Sequence, residues 1–341
     1  MTTGIFIGKF LPPHRGHITS ILTAHALCDK LYVIVCNRDV EDAVLCRTNN
    51  IKPISGVIRK QWMSQELQGF DNIHILIIDE SKVPSWPNGW EGISKLIKKA
   101  VPEPIDIIFG GEMEYAKGFG THFPESYYKV IYPEHSAWPI SATKIRENPL
   151  KHWDYILGAA RPFFTKKVLI TGTESCGKTT LVKKLAKIYN TSWSEEVGRS
   201  YAERYLGGDE TAFTDYDFER IAHLQFENDY DTLRHANRIC FFDTDATVTD
   251  YYSKLYLGHS NKKVRSYINL SQYDLIFIMT PSVPWVDDGM RLHGENRWSL
   301  HDKLWVRYVD HPNACMINGD YNTRMNRCMT RIDIILNIGE H

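Results

Sequence analysis

At 341 residues the chain is too long for one comfortable hydrophobic core and suits two α/β domains. Apolar residues at 43% and charged residues at 24% are ordinary for a folded chain, and a formal net charge of -1 excludes global steering toward DNA or an acidic membrane, so any anion site must be local. Seven scattered cysteines without a CxxC pair, no secretory leader before the first strand and no long apolar run predict a cytoplasmic chain with reduced thiols and no membrane span.

The first predicted strand, Gly4 to Gly8, runs into Gly8-Lys9-Phe10-Leu11-Pro12-Pro13-His14-Arg15-Gly16-His17, and Ile18, Ile21, Leu22 and Ala26 follow at helical spacing. This is the pattern of a phosphate-binding turn at a helix start. Gly8 lets a ligand approach the backbone, Pro12 and Pro13 stiffen the loop, and the helix N-terminus offers free N–H groups to an anion. His14 and His17 share a helical face and can donate to phosphate oxygens, with Gly16 keeping that face open. Phe10 joins Gly8 as a candidate nucleotide contact.

Further strands are predicted at Leu31 to Cys36, Ile73 to Ile78, Ile105 to Gly110 and Tyr127 to Tyr132. Amphipathic stretches lie between them, which predicts a doubly wound parallel sheet. Trp86 and Trp90 can stack on a ring or serve the core. Gly110, Gly111 and Glu112 follow a strand and belong at the ligand-facing edge of the sheet. A second short motif, Ile140-Ser141-Ala142-Thr143-Lys144-Ile145-Arg146, closes this half.

The loop ending in His14-Arg15-Gly16-His17, taken with Ile140 to Arg146, resembles the HxGH nucleotidyltransferase superfamily with its ISxTxxR signature. The resemblance implies a Rossmann-like domain in which a phosphate attacks the α-phosphorus of ATP and pyrophosphate leaves. In-line positioning and charge stabilisation would then carry catalysis. It assigns Lys9, His14, His17 and Arg146 to the developing charge, Ser141 and Thr143 to the ATP phosphates, Arg59 to the nucleotide, and Mg2+ to a bridge between phosphates.

Leu150 to Thr165 reads as a linker, with Gly158 and Pro162 as punctuation and a boundary near Arg161, so the domains are expected at 1–160 and 161–341. The second strand series is Val168 to Thr171, Ile239 to Phe242, Asp274 to Thr280 and Ala314 to Asn318. Its first strand enters Gly172-Thr173-Glu174-Ser175-Cys176-Gly177-Lys178-Thr179-Thr180, a Walker A loop between a strand and a helix. Loop residues Gly172, Glu174, Ser175, Gly177 and Thr180 would cradle phosphates, Lys178 would reach the β and γ phosphates, and Thr179 would ligate Mg2+.

Glu196 and Arg199 are plausible partners for a ribose diol. Asp243 and Asp245, two apart on an extended chain, would point to one side, one toward Mg2+ and one toward the acceptor hydroxyl, although an aspartate at a strand end also caps a following helix. Trp285 could pack on the acceptor base. Asp288 joins the riboside contacts, and Arg291 and Arg297 suit a lid closing over the transferred phosphoryl group.

An HxGH half followed by a Walker A half, with further segments such as Arg161-Pro162-Phe163-Phe164, resembles the bifunctional NadR family, nicotinamide-nucleotide adenylyltransferase fused to ribosylnicotinamide kinase. The resemblance implies that the C-terminal half makes nicotinamide mononucleotide (NMN) from nicotinamide riboside and ATP, and the N-terminal half converts NMN to NAD. The first strand opens at Gly4, so a form without the N-terminal helix-turn-helix repressor domain and without a DNA partner is expected. Val197 and Ser200 depart from the family's Tyr and Asp. A different acceptor, a kinase half retained as a nucleotide sensor, and homo-oligomerisation stay open at this level.

Overall fold

The computed structural model describes residues 1–85, 88–132, 137–284 and 296–338. Two compact units divide it, Met1–Arg161 and Pro162–His341, with a one-turn helix, α7 (Arg161–Phe164), at the division.

The first unit is built on a five-stranded sheet: β1 (Thr3–Gly8), β2 (Lys30–Asn37), β3 (Ile73–Asp79), β4 (Ile107–Gly110) and β5 (Tyr127–Val130). All pairs are parallel and the order is β3-β2-β1-β4-β5. The helices are α1 (Arg15–His25), α2 (Asp39–Thr48), α3 (Gly56–Glu66), α4 (Trp90–Ala100), α5 (Ala116–His122) and α6 (Ala142–Glu147). Two apolar clusters form the core, one around Phe6, Val33, Val35 and Phe109 and one around Ile5, Ile34 and Ile108. Neighbouring residues of one strand thus feed opposite clusters, which is why the strands read as continuous apolar runs. The chain moves outward from β1 to β3, then returns to β4 on β1's other side. That reversal opens a crevice at the carboxyl ends of β1 and β4.

The second unit repeats the principle with β6 (Lys166–Gly172), β7 (Trp193–Ser194), β8 (Ile239–Asp243), β9 (Leu275–Met279) and β10 (Ala314–Ile317), again parallel, in the order β10-β9-β6-β8-β7. Every residue of β8 and β9 is buried. The helices are α8 (Lys178–Ile188), α9 (Val197–Tyr205), α10 (Asp215–Arg234), α11 (Ala246–Leu257), α12 (Lys262–Ser266), α13 (Arg297–Trp305) and α14 (Tyr321–Leu336). The nine predicted strands are all present to within about two residues at their ends, and the two-residue edge strand β7 is the addition. Two residues are too few to show a period. No helix among the described residues is long and apolar enough to cross a membrane.

Candidate functional site

Each unit carries a cavity over the carboxyl end of its central strand. In the first, about 700 Å³ is enclosed by Gly8, Phe10, His14, Gly16, His17, Gly110, Gly111 and Glu112, among others. His14 is the N-cap of α1, with extended backbone angles. Its N–H donates to His17 Nδ1 at 3.2 Å and the two rings stack with centroids 3.7 Å apart. An Nδ1 that accepts a backbone proton places the neutral ring's own proton on Nε2, so His17 is held as an Nε2–H donor. A Cβ at Gly16 would sit 3.1 Å from the His14 ring, which explains the glycine between the histidines. Phe10, at φ +52, meets His17 edge-on at 5.0 Å and covers Gly8, where a Cβ would come within 2.9 Å of the ring.

The remaining residues assigned to this site lie off the cavity wall. Arg59 is fully buried, and its donors reach the carbonyls of Ser55, Lys9 and Cys36, Asn37 Oδ1 and, at 2.8 Å, Asp42 Oδ2. Its expected nucleotide contact is therefore corrected to a brace under the loop, since a guanidinium without exposure must spend its donors inside the protein. Lys9 Nζ pairs with Asp42 at 3.3 Å instead of facing the cavity. Arg146 is buried and donates to the Leu11 carbonyl and to Thr143 Oγ1 at 3.0 Å, while Ser141 Oγ caps α6 by accepting from the Lys144 N–H at 3.3 Å. Arg146 thus docks the second motif against the first loop, Thr143 and Ser141 bond within that motif, and none of the three lines the cavity. Arg59→Ala would leave Asp42, itself 2 % exposed, short of its main counter-charge. The expected cost is about 3–5 kcal/mol, read as a lower unfolding midpoint of the chain.

An aromatic wall bounds part of this cavity. Trp90 meets Phe119 edge-on at 5.0 Å, Phe119 stacks on Tyr128 at 5.5 Å, and Tyr115 joins them on the cavity. Burial first, and Glu112 next, push Tyr115 and Tyr128 up to about 12, so both stay neutral donors. The Tyr128 hydroxyl donates to the Glu112 carbonyl at 2.7 Å. Gly110 is required here, because a Cβ would lie 2.2 Å from that hydroxyl. Trp86 lies outside the described residues.

In the second unit about 530 Å³ is lined by Glu174, Ser175, Gly177, Lys178, Thr179, Thr180, Glu196, Arg199 and Asp243, with Phe213, Tyr252 and Tyr256 among the aromatic residues. Gly172 is the hinge between β6 and the loop, at φ +143 and with no room for a Cβ, which would lie 2.7 Å from the Met279 carbonyl. Gly177, at φ +84, caps α8, whose first residue is Lys178. The Lys178 ammonium donates to the Thr173 carbonyl at 3.0 Å. Burial opposes its charge most strongly, yet Cys176, Glu196, Asp243 and Glu174 together hold its pKa above the ordinary lysine value.

Thr179 Oγ1 donates to Asp243 Oδ2 at 2.6 Å. Burial and then Glu196 raise Asp243 to about 6, against the pull of Lys178. Its Oδ1 is buried without a hydrogen-bond partner among the described residues. A hydroxyl, a carboxylate and one spare buried oxygen fit Mg2+, which keeps waters and binds substrate phosphates without an all-protein cage. No group of three or more His, Cys, Asp or Glu suited to a metal occurs among the described residues.

Because Asp243 keeps its proton to a higher pH in the fold than in the unfolded chain, its contribution to stability is greatest below about pH 4 and is lost as pH rises through about 6. Asp243→Asn is expected to stabilise the ligand-free chain at pH 8 by about 3 kcal/mol, with a smaller gain at pH 4 to 5. Thermal unfolding at both pH values checks it.

Asp245 does not share the cavity with Asp243. Thr244, at φ +76, takes the chain out of the extended conformation, so the two-residue alternation fails. Asp245 instead stands at the N-cap position of α11 and accepts from Tyr308 Oη at 2.6 Å and Thr247 Oγ1 at 2.7 Å. Arg297, expected in a lid, opens α13 and donates to the carbonyls of Val283 at 3.3 Å and Ser175 at 3.5 Å. It thus touches the backbone of the phosphate loop without lining the cavity. Trp285, Asp288 and Arg291 lie outside the described residues. Arg324 was missed altogether. Only 1 % exposed, it binds the carbonyls of Cys176, Gly319 and Thr280 and Ser282 Oγ, all at 2.6–2.8 Å, and so braces this loop as Arg59 braces the other.

Residues 167–324 match the family model described as an AAA domain. The Escherichia coli (strain K12) Trifunctional NAD biosynthesis/regulator protein NadR is 34% identical over 338 residues, covering 96% of this chain and 82% of its own length. A crystal structure of NadR in complex with NAD and AMP-PNP superimposes with a TM-score of 0.83 at 25% identity, and one in complex with NR with 0.83 at 26%. Both cover 100% of this chain and 97% of theirs. With both cavities lying inside alignments of this extent, the chain belongs to the NadR family.

Proposed function

We propose that this chain is a bifunctional enzyme of NAD salvage: unit 162–341 phosphorylates nicotinamide riboside to NMN with ATP, and unit 1–161 adenylylates NMN to NAD. The observation that carries this reading is a cavity beside a glycine-bearing loop in each unit, in a chain aligned over 96% of its length with a NAD biosynthesis protein.

In the kinase reaction the primary hydroxyl of the riboside attacks the γ-phosphorus of ATP, the β–γ bridge breaks, ADP leaves and the hydroxyl proton is released to solvent. Lys178 offsets charge on the transferring phosphoryl group, and Glu196 and Arg199 hold the riboside near it. Thr179 and Asp243 would hold Mg2+, which supplies charge neutralisation when bound. In the adenylylation an NMN phosphate oxygen attacks the α-phosphorus of a second ATP and pyrophosphate leaves. The His17 Nε2–H, with His14, stabilises negative charge on the phosphates, and Gly110 and Gly111 admit the ligand close to the backbone.

Incubation with nicotinamide riboside, ATP and Mg2+ should give NMN first and NAD after it. NMN offered directly should give NAD with one ATP consumed. Formation of neither product rejects the proposal.

A further inference from the structure

Glu196 lines the second cavity at the N-cap of α9, close enough to Lys178 and Asp243 to influence both titrations. Its backbone is gripped from both sides by one amide. Gln225 on α10, 4 % exposed, accepts the Val197 N–H on Oε1 at 2.9 Å and donates from Nε2 to the Glu195 carbonyl at 3.1 Å. The same Nε2 lies 2.8 Å from Asp229 Oδ1 and 3.3 Å from Ser194 Oγ. Asn228 Nδ2 supports the fully buried Ser194 Oγ at 2.9 Å. The Val197 N–H fixes which end of the amide carries oxygen, and the amide's capacity is then spent within the protein.

We infer that Gln225 is a positioning residue for phosphoryl transfer, clamping the residues before and after Glu196 so that its carboxylate faces the acceptor end of the kinase cavity. This rests on the kinase reading above. On the nucleotide side the loop is braced by a different residue, Arg324. Loss of the clamp should therefore fall on the acceptor and not on ATP. A near-isosteric apolar side chain removes both grips, whereas glutamate keeps an oxygen for the Val197 N–H.

The test uses the full chain, with Gln225→Met, Gln225→Glu, Glu196→Gln and the double variant Gln225→Met/Glu196→Gln. In Gln225→Met the KM for nicotinamide riboside should rise about tenfold and kcat fall by a similar factor, with the KM for ATP within about twofold. Gln225→Glu keeps the oxygen for the Val197 N–H but sets its second oxygen against the Glu195 carbonyl and Asp229 Oδ1, so it should lose at least as much as Gln225→Met. In the Glu196→Gln background the further loss from Gln225→Met should shrink to less than about twofold, the non-additivity of groups acting through one another. A full loss repeated in that background, or an equal rise in the KM for ATP, overturns the assignment. Amide hydrogen exchange at Val197 should accelerate at least about tenfold in Gln225→Met, and unchanged exchange also overturns it. If the native chain leaves the riboside unphosphorylated, the kinase reading fails while the exchange measurement still decides the clamp.

Discussion

His17→Ala is expected to slow NAD formation from NMN and ATP by about two to three orders of magnitude, with riboside phosphorylation within about twofold of native. The variant should then accumulate NMN from riboside, which separates it from a general loss of fold. The size of the effect follows from preorganisation. His17 receives a backbone N–H on Nδ1, stacks on His14 and is met edge-on by Phe10, so its Nε2–H is oriented before any ligand arrives. A donor already aimed at a phosphate costs no reorganisation as negative charge builds. Chromatographic separation of NMN and NAD over time checks the prediction, and equal loss of both products would contradict it.

Lys178→Ala is expected to produce the mirror image: riboside phosphorylation lower by about three orders of magnitude, with NAD still made from supplied NMN at the native rate. Lys178 is 8 % exposed and sits among Glu196, Asp243 and Glu174, so its charge is both desolvated and surrounded by carboxylates. Removing it leaves the transferring phosphoryl group facing those carboxylates without their counter-charge. Lys178→Arg should recover little, because a fork-shaped guanidinium does not fit the space of a compact ammonium enclosed by the loop. Taken together, the two alanine variants would assign one reaction to each unit.

The strands were legible because parallel strands buried on both faces carry uninterrupted apolar runs, as in Leu31 to Cys36 and Ile239 to Phe242. Both phosphate loops were legible for a related reason. Their glycines stand at backbone positions with positive φ or tight space for a Cβ, as at Gly172, Gly177 and Gly16, with Lys178 and His17 directly after Gly177 and Gly16. Local geometry of this kind is written in consecutive residues.

The identities of side-chain partners are not. Arg59 had the residue type of a nucleotide contact, but α3 lies under the first loop and the nearest oxygens belong to Lys9, Cys36 and Asp42. Asp243 and Asp245 had matched spacing, but one positive φ at Thr244 sends them to different neighbours. Arg324 reaches the second loop across 148 residues of sequence, and Gln225 clamps a segment about 30 residues before it. By itself, then, the sequence determined two parallel α/β sheets and where each glycine-bearing loop starts, because each is a matter of hydrophobic period or local backbone freedom. Only the tertiary structure decided which buried charges brace a loop and which face a cavity, because a buried polar group takes whatever partner the packing of distant elements brings within about 3 Å.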